Sequence, residues 1–469
     1  MLLGPEIYTF LAAFCFLILS MTTKPGRRRD HLTALLLAGF GVLLSLAAIR
    51  EDGLLFSGAY RVDLFSQVFK ALLALGLFLI VCICREIREF REENRYEFFL
   101  MLFVCTLAMM LLVSGNHLLT LYVSLELSSY SLYVLVSLRR DRDTGVEAGI
   151  KFFLVGIFAS AWMLFGMAIL YGTARVMTLN GMAGVIPGMM DQPAVLLGLV
   201  LTLSGFFFKL AVFPFHFWVP DVYEGAANEV AAYIAAVSKV AAIAILLRII
   251  SSAGQGGTVL VHVLVVLSVA SMTVGNLAAI TQQDLKRLLG YSTVAHGGYV
   301  LIGVLSMSPP GYAGVVFYAL ALLVMKFTVF LVVVKVAGDG GNLQMEQLAG
   351  LHRRSPILAL ALMVSLFSLA GIPPTVGFTG KFLVFVAAME KGHFTLVLIA
   401  MVNVVISLYY YLLVIRAAYL LELKGEMSPL AVSVPTRFLA AGLVAVMVVA
   451  GFYPYYFIEL AQAAVHVLL

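Results

Sequence analysis

Charge is the scarcest commodity in this 469-residue sequence: 12% of its residues are Asp, Glu, Lys or Arg, against roughly 25% in a soluble domain. That excludes a string of water-exposed domains, although the length would hold two or three. Cysteine is scarce as well. Cys15, Cys82, Cys84 and Cys105 all lie in or beside apolar runs. The Cys82-x-Cys84 spacing is too tight for a zinc site, and no cysteine ladder is present to hold an iron–sulfur cluster. The four are read as small apolar core residues. No glycine-rich phosphate loop leads into a basic helix. The formal net charge of +5 is modest and resides in loops, which excludes a nucleic-acid surface. Residues 1–21 lack a basic start and a small-residue cleavage site, so they are read as a retained first span, not a signal peptide.

What is abundant is apolar sequence, 62% of the chain with a mean hydropathy of +1.04. Each membrane-spanning helix takes about 20 apolar residues, and in lipid only helices or closed barrels satisfy their own backbone. Apolar runs fall near 5–21, 32–49, 64–84, 97–114, 117–137, 146–172, 193–218, 227–250, 258–281, 287–307, 313–337, 356–391, 394–420 and 437–462. The expected fold is therefore an all-α membrane protein of about fourteen transmembrane helices. Loop charge tests that count. Loops after odd-numbered spans carry Lys24, Arg27, Arg28, Arg29, Arg85, Arg88, Arg91, Arg95, Arg139, Arg140, Arg142, Lys286, Arg287, Arg353, Arg354, Lys424 and Arg437. Loops after even-numbered spans carry only Arg50, Arg61, Arg175 and Lys391. A balance of 17 to 4 places both termini outside the cytoplasm by the positive-inside rule, and a missing span would have scrambled the alternation.

Two spans are unusual. Span 7 is interrupted at Phe213-Pro214-Phe215-His216-Phe217-Trp218, and span 12 at Gly371-Ile372-Pro373-Pro374. Proline removes a backbone donor, and a broken helix at membrane depth is tolerated where it is buried in protein or lines a hydrated cavity. Most basic residues near spans, including Lys70, Arg248, Lys335 and Arg416, lie toward span ends and are expected to snorkel. Lys151, Lys209, Lys239, Lys326 and Lys381, with Glu126 in mid-span 5, have no such escape. At about 2.5–3.5 kcal/mol each, six such charges cost roughly 15 kcal/mol or more. They must pair or line water. Burial disfavours the charged form of either group, which suits them to loading and unloading protons. His296 in span 10 is a further relay candidate, and His216 a weaker one. The opposing reading for each is a static ion pair, a helix-end anchor or a hydrogen-bonded core histidine.

The charges recur. Steps of 25 and 58 residues separate Glu126, Lys151 and Lys209; steps of 30 and 55 separate His296, Lys326 and Lys381. Each half holds one broken helix with a lysine. The expected division is a three-helix segment over 1–96, one five-helix repeat over 97–250, an inverted second repeat over 258–420, and a last helix within 421–469. Span 13 offers Ser407, Tyr409, Tyr410 and Tyr411 where span 8 offers Lys239.

The stretch from Phe208-Lys209 through Phe213-Pro214-Phe215-His216-Phe217-Trp218-Val219-Pro220-Asp221-Val222-Tyr223-Glu224-Gly225-Ala226 closely resembles the antiporter-like subunits of respiratory complex I (NADH:quinone oxidoreductase). The Pro-Asp-Val-Tyr-Glu-Gly-Ala portion looks like subunit N. Ser238-Lys239, Asp284-Leu285-Lys286-Arg287-Leu288-Leu289-Gly290-Tyr291-Ser292, and Leu369-Ala370-Gly371-Ile372-Pro373-Pro374 through Gly380-Lys381-Phe382 follow in the same order. The resemblance runs from about residue 97 to the end. It implies fourteen helices, inverted repeats with discontinuous helices 7 and 12, a Glu126–Lys209 switch pair, Lys239 as central relay and Lys381 as terminal residue. Lys151 matches a further lysine of that subunit. It also implies a subunit without a cofactor of its own, set among other membrane-arm subunits in a cell inner membrane. NADH, FMN, iron–sulfur clusters and quinone would belong to partners. Two features depart from the pattern. Ala227-Asn228-Glu229-Val230 replaces a small, proline-rich run and adds the Glu229 carboxylate at the entrance of span 8. Lys326 looks more like other antiporter-like relatives. The chain stops at Leu469, without the long lateral helix of the largest antiporter-like subunit. The rival readings are a subunit of a multisubunit cation/proton antiporter, a membrane-bound hydrogenase or related dehydrogenase, and a scaffold with frozen ion pairs.

Overall fold

The computed structural model describes residues 2–87, 89–139, 143–254, 257–338, 340–421 and 429–468. Arg88, Arg140, Arg142 and Lys424 of the loop-charge pattern lie outside the described residues. Twenty α-helices are described: α1 (Gly4–Thr22), α2 (Arg27–Ala47), α3 (Leu64–Ile83), α4 (Arg95–Ser114), α5 (Leu118–Ser137), α6 (Asp143–Ala174), α7 (Leu179–Val185), α8 (Pro193–Leu210), α9 (Trp218–Gly225), α10 (Asn228–Ala236), α11 (Ser238–Ser252), α12 (Thr258–Ile280), α13 (Leu285–Leu305), α14 (Pro309–Val336), α15 (Leu351–Arg354), α16 (Pro356–Ala370), α17 (Val376–Glu390), α18 (Phe394–Leu420), α19 (Val434–Phe452) and α20 (Tyr455–Leu468). A hairpin pairs Gly53–Leu55 with Tyr60–Val62. Thirteen helical segments are long and apolar enough to cross a membrane, α10 and α11 counting as one. The short helices α16 and α17 together make the fourteenth crossing expected from the sequence.

Burial sorts the spans into a core and a rim. The α10–α11 span is wholly buried, and α13 and α14 nearly so, whereas α1, α2, α18 and α19 bury about a third of their length or less. The outer helices turn Phe10, Phe14, Leu36, Phe40 and Phe438 outward, which lipid tolerates because its tails are as apolar as the side chains. Without a hydrophobic drive between helices, close backbone approach holds the bundle. Gly275 of α12 shows it: a Cβ there would stand 2.6 Å from the Ala295 nitrogen and 2.8 Å from the Tyr291 oxygen of α13.

Both interruptions fall where the prolines placed them. α8 ends at Leu210, and Ala211 turns left-handed at φ 68°; the Val212 N–H then reaches back to the Phe207 carbonyl. α16 ends at Ala370, Gly371 turns left-handed at φ 87°, and the Ile372 N–H reaches back to Phe367. Both are Schellman-type ends, and a cis X-Pro bond follows each.

Three expectations need correction. The last span is not continuous over 437–462: α19 stops at Phe452, before Pro454, and α20 is a separate helix packed on α14 and α3. Lys70 and Arg248 do not snorkel. Lys70 is fully buried and paired with Glu6 at 2.6 Å, and Arg248 is buried against Asp63 at 2.6 Å. Their partners lie on other helices and loops, so position along a span could not reveal them. Of the cysteines, Cys84 and Cys105 are buried while Cys15 and Cys82 are half-buried.

Candidate functional site

A helix end leaves carbonyls without intrahelical donors, and at both broken spans a lysine fills that role. The Phe213 N–H, which would have served the Lys209 carbonyl, goes instead to the Ser271 hydroxyl at 3.0 Å. The Lys239 ammonium donates to that freed carbonyl at 2.6 Å and lies 4.8 Å from the centre of the Trp218 ring. The Lys381 ammonium donates to the carbonyls of Leu369 at 2.8 Å and Ala370 at 3.0 Å, 4.5 Å from the centre of the Tyr299 ring. Each lysine thus sits at the negative end of a helix dipole and over an aromatic face, both of which favour a cation. Among the described residues neither has a carboxylate bonded to it, so each is held by dipoles that do not lock its proton in place.

Lys209 and Glu126 are both buried, yet they form no direct ion pair. Lys209 donates to the Ser128 hydroxyl, and Glu126 accepts from the Ser160 hydroxyl. Glu126 nevertheless stays within electrostatic reach of Lys209. The two residues the resemblance pairs are neighbours here, each hydrogen-bonded to a serine and not to the other.

The line continues across the bundle. Lys239 lies within electrostatic reach of Lys209 on one side and Lys326 on the other, and Lys326 within reach of Lys381. Lys326 donates to the Ser292 hydroxyl and to the Leu289 carbonyl at 3.2 Å. His296 stands near both Lys326 and Lys381. Its ring nitrogens contact Tyr318 at 2.6 Å and Tyr411 at 3.4 Å. Beside it, Tyr410 donates to Asn276, which itself donates to Tyr299 under the Lys381 ammonium. Of the span-13 residues singled out, Ser407, Tyr410 and Tyr411 are buried and Tyr409 is exposed.

Lys151 is placed differently. Its side chain is 45% exposed and paired at 2.7 Å with both Glu147 and Asp221. Arg287 binds Asp221 at 2.7 Å and Glu224 at 2.8 Å. The two acids of the Pro-Asp-Val-Tyr-Glu segment therefore pin α9 to the ends of α6 and α13. Burial pushes the Asp221 carboxyl up, but hydrogen bonds from Lys151 and Arg287 more than offset it and hold it below the usual range. Tyr223 points inward, its hydroxyl 3.4 Å from Thr293. His216 is buried outside the lysine line.

Two charged clusters escaped the sequence reading. In one, Glu6 takes Lys70 and the Tyr60 hydroxyl at 2.5 Å, while Asp63 takes Arg248 and, at 3.0 Å, Arg61. Burial pushes the Asp63 carboxyl up; Arg248 beside it, the Ser66 N–H and Arg61 bring it below its ordinary value. In the other, Arg139 pairs with Glu89 at 2.8 Å and donates to the carbonyls of Glu224, Gly225 and Ala226, and Lys286 donates to Ala226 at 2.8 Å. Only the polarity of Glu6, Asp63 and Glu89 could have flagged these clusters; nothing local names their partners. Among the described residues no group of three or more His, Cys, Asp or Glu is placed to hold a metal ion.

Comparison with known proteins gives a consistent picture. Residues 115–407 match the family described as NADH:quinone oxidoreductase/Mrp antiporter, TM. NADH-quinone oxidoreductase subunit N 2 of Syntrophobacter fumaroxidans is 69% identical over 466 residues, 99% of each chain. Its namesake from Opitutus terrae is 39% identical, covering 97% of this chain and 95% of that one. A chain of respiratory complex I from Thermus thermophilus superposes with a TM-score of 0.85 at 32% identity, covering 98% of this chain and 99% of that one.

Proposed function

The chain belongs to the subunit N family of NADH:quinone oxidoreductase, whose members are proton-translocating membrane subunits, and from that premise we propose that its buried Glu/Lys/His line is the proton path. The observation that supports this most is the seating of the lysines. Lys239 and Lys381 rest on carbonyls freed by broken helices, and Lys209 and Lys326 on serine hydroxyls. Such seats stabilise a cation without pairing it to a fixed anion, so the proton is not trapped.

Glu126 supplies the switch. Were it to leave Ser160 and close on Lys209 to about 4 Å, the attraction at an effective dielectric of 20 would be about 4 kcal/mol. That is about a thousandfold in how tightly the lysine holds its proton. The open arrangement is the releasing one. A proton given up by Lys209 passes to Lys239, then by way of Lys326 and His296 to Lys381, and leaves on the opposite side. Lys151, on the exposed rim, orients α9 through Asp221 and lies off this line.

The two halves, 97–250 and 258–420, act as inverted modules around the line, with 1–96 and 421–469 flanking them. The chain lies in the cell inner membrane with both termini on the non-cytoplasmic side, beside other membrane-arm subunits including antiporter-like neighbours. NADH, FMN, iron–sulfur clusters and quinone belong to those partners, and redox energy reaches this chain as an electrostatic or conformational change.

The test is Lys209→Ala in membranes carrying the whole complex, with assembly checked on native gels. Proton pumping and coupled turnover are expected to collapse in an assembled complex. Undiminished pumping would make the buried charges structural.

A further inference from the structure

Glu229 borders the Arg139–Glu89–Lys286 cluster but has no part in its hydrogen bonds. It occupies the first turn of α10 and is 4% exposed, and among the described residues its Oε2 has no hydrogen-bond partner. A buried carboxylate oxygen left unpartnered is costly, so it calls for an explanation. The charged groups facing it are Glu89, Lys286 and Lys335, with Arg139 behind Glu89. All of these come from the segments that carry the basic loops, on the cytoplasmic side by the loop-charge pattern.

Inward from Glu229 the polar groups form a line. Tyr233 follows one turn later on the same face of α10. The Tyr233 and Thr106 hydroxyls are hydrogen-bonded at 2.6 Å. Cys105, the neighbour of Thr106 on α4, lies against the Tyr233 hydroxyl and within reach of Lys209, and its thiol donates to the Ser128 carbonyl at 3.3 Å. Ser128 in turn holds Lys209. Every side chain in this line is buried.

Resting on the proton-path reading of Lys209, we propose that Glu229 collects protons from the cytoplasmic side and delivers them to Lys209 through Tyr233 and Cys105. The transfer leaves the relay groups unchanged. Glu229 takes a proton from the cytoplasm and releases it inward. The Tyr233 hydroxyl and the Cys105 thiol each pass on their own proton as they accept the next, and the neutral Lys209 amine takes one proton net. Entry then lies at Lys209, and the carboxylate introduced by Ala227-Asn228-Glu229-Val230 is its mouth.

The experiment compares Glu229→Gln and Tyr233→Phe with Lys209→Ala in membranes holding the whole complex, reading proton pumping, turnover and assembly. Glu229→Gln is expected to slow coupled turnover about tenfold or more. Millimolar formate, a diffusible weak acid, should restore part of it. Tyr233→Phe, which removes only a hydroxyl, should slow it with Glu229 intact. Wild-type rates in both variants, with Lys209→Ala still defective, overturn the Glu229 route and leave the lysine line standing. Wild-type rates in all three take down the lysine line instead. A Glu229→Gln defect that formate does not relieve, with Tyr233→Phe at the wild-type rate, makes Glu229 structural and overturns the proposal. If Glu229→Gln does not assemble, Tyr233→Phe decides: a slowed, assembled complex supports the route and an unchanged one overturns it.

Discussion

Lys70 has no access to water, and among the described residues Glu6 is its paired anion, at 2.6 Å. Taking one member of a buried pair away strands the other, at a cost of about 3–5 kcal/mol. Lys70→Ala is therefore expected to lower the thermal stability and yield of the assembled subunit, and Lys70→Met with Glu6→Gln to recover much of the loss. Thermal melts of the detergent-extracted complex check this; equal losses in the single and double variants would deny the pair its structural role. The contrast with Lys209, Lys239 and Lys381 is chemical. Those three rest on hydroxyls, carbonyls and ring faces, which can release a proton-carrying group without leaving an anion behind. A lysine in a span reads the same in either case; its nearest neighbour decides between anchor and carrier.

Helices α12 and α13 meet backbone to backbone at Gly275, and α13 carries Ser292 and His296 of the polar line. A Cβ at Gly275 would fall 2.6 Å from backbone nitrogen, which no rotamer change relieves. Gly275→Val should cost about 1–3 kcal/mol of overpacking and, by shifting α13, lower coupled turnover. Gly442→Ala on the lipid-facing α19, where nothing lies within 4 Å, should leave both unchanged. Melting and turnover measured together check the pair of variants. The broken helices were legible as breaks from Pro214 and Pro373-Pro374, because proline's missing donor is a local property. That Lys239, thirty residues beyond Lys209, would occupy the orphaned carbonyl was not legible: α11 must first pack against the end of α8.

Over the whole molecule, the loop charges set an orientation that labelling tests. With both termini outside the cytoplasm, Arg50→Cys and Arg175→Cys should react with a membrane-impermeant maleimide in intact cells, and Arg353→Cys only in inverted vesicles. All three positions are exposed. The reverse pattern would invert the entry side assigned to Glu229. Composition and span-by-span hydropathy already determined the membrane fold, the approximate number of spans and the two breaks. Transfer into lipid depends on each segment's own residues, so it is written along the chain. Only the tertiary structure decided the partners: Lys70 with Glu6, Arg248 with Asp63 across 185 residues, Tyr233 with Thr106 across 127, and Glu126 turned to Ser160 and not to Lys209. A buried charge must find a partner, but which one it finds depends on which helices pack together, and side chains so far apart in sequence meet only once the bundle has closed.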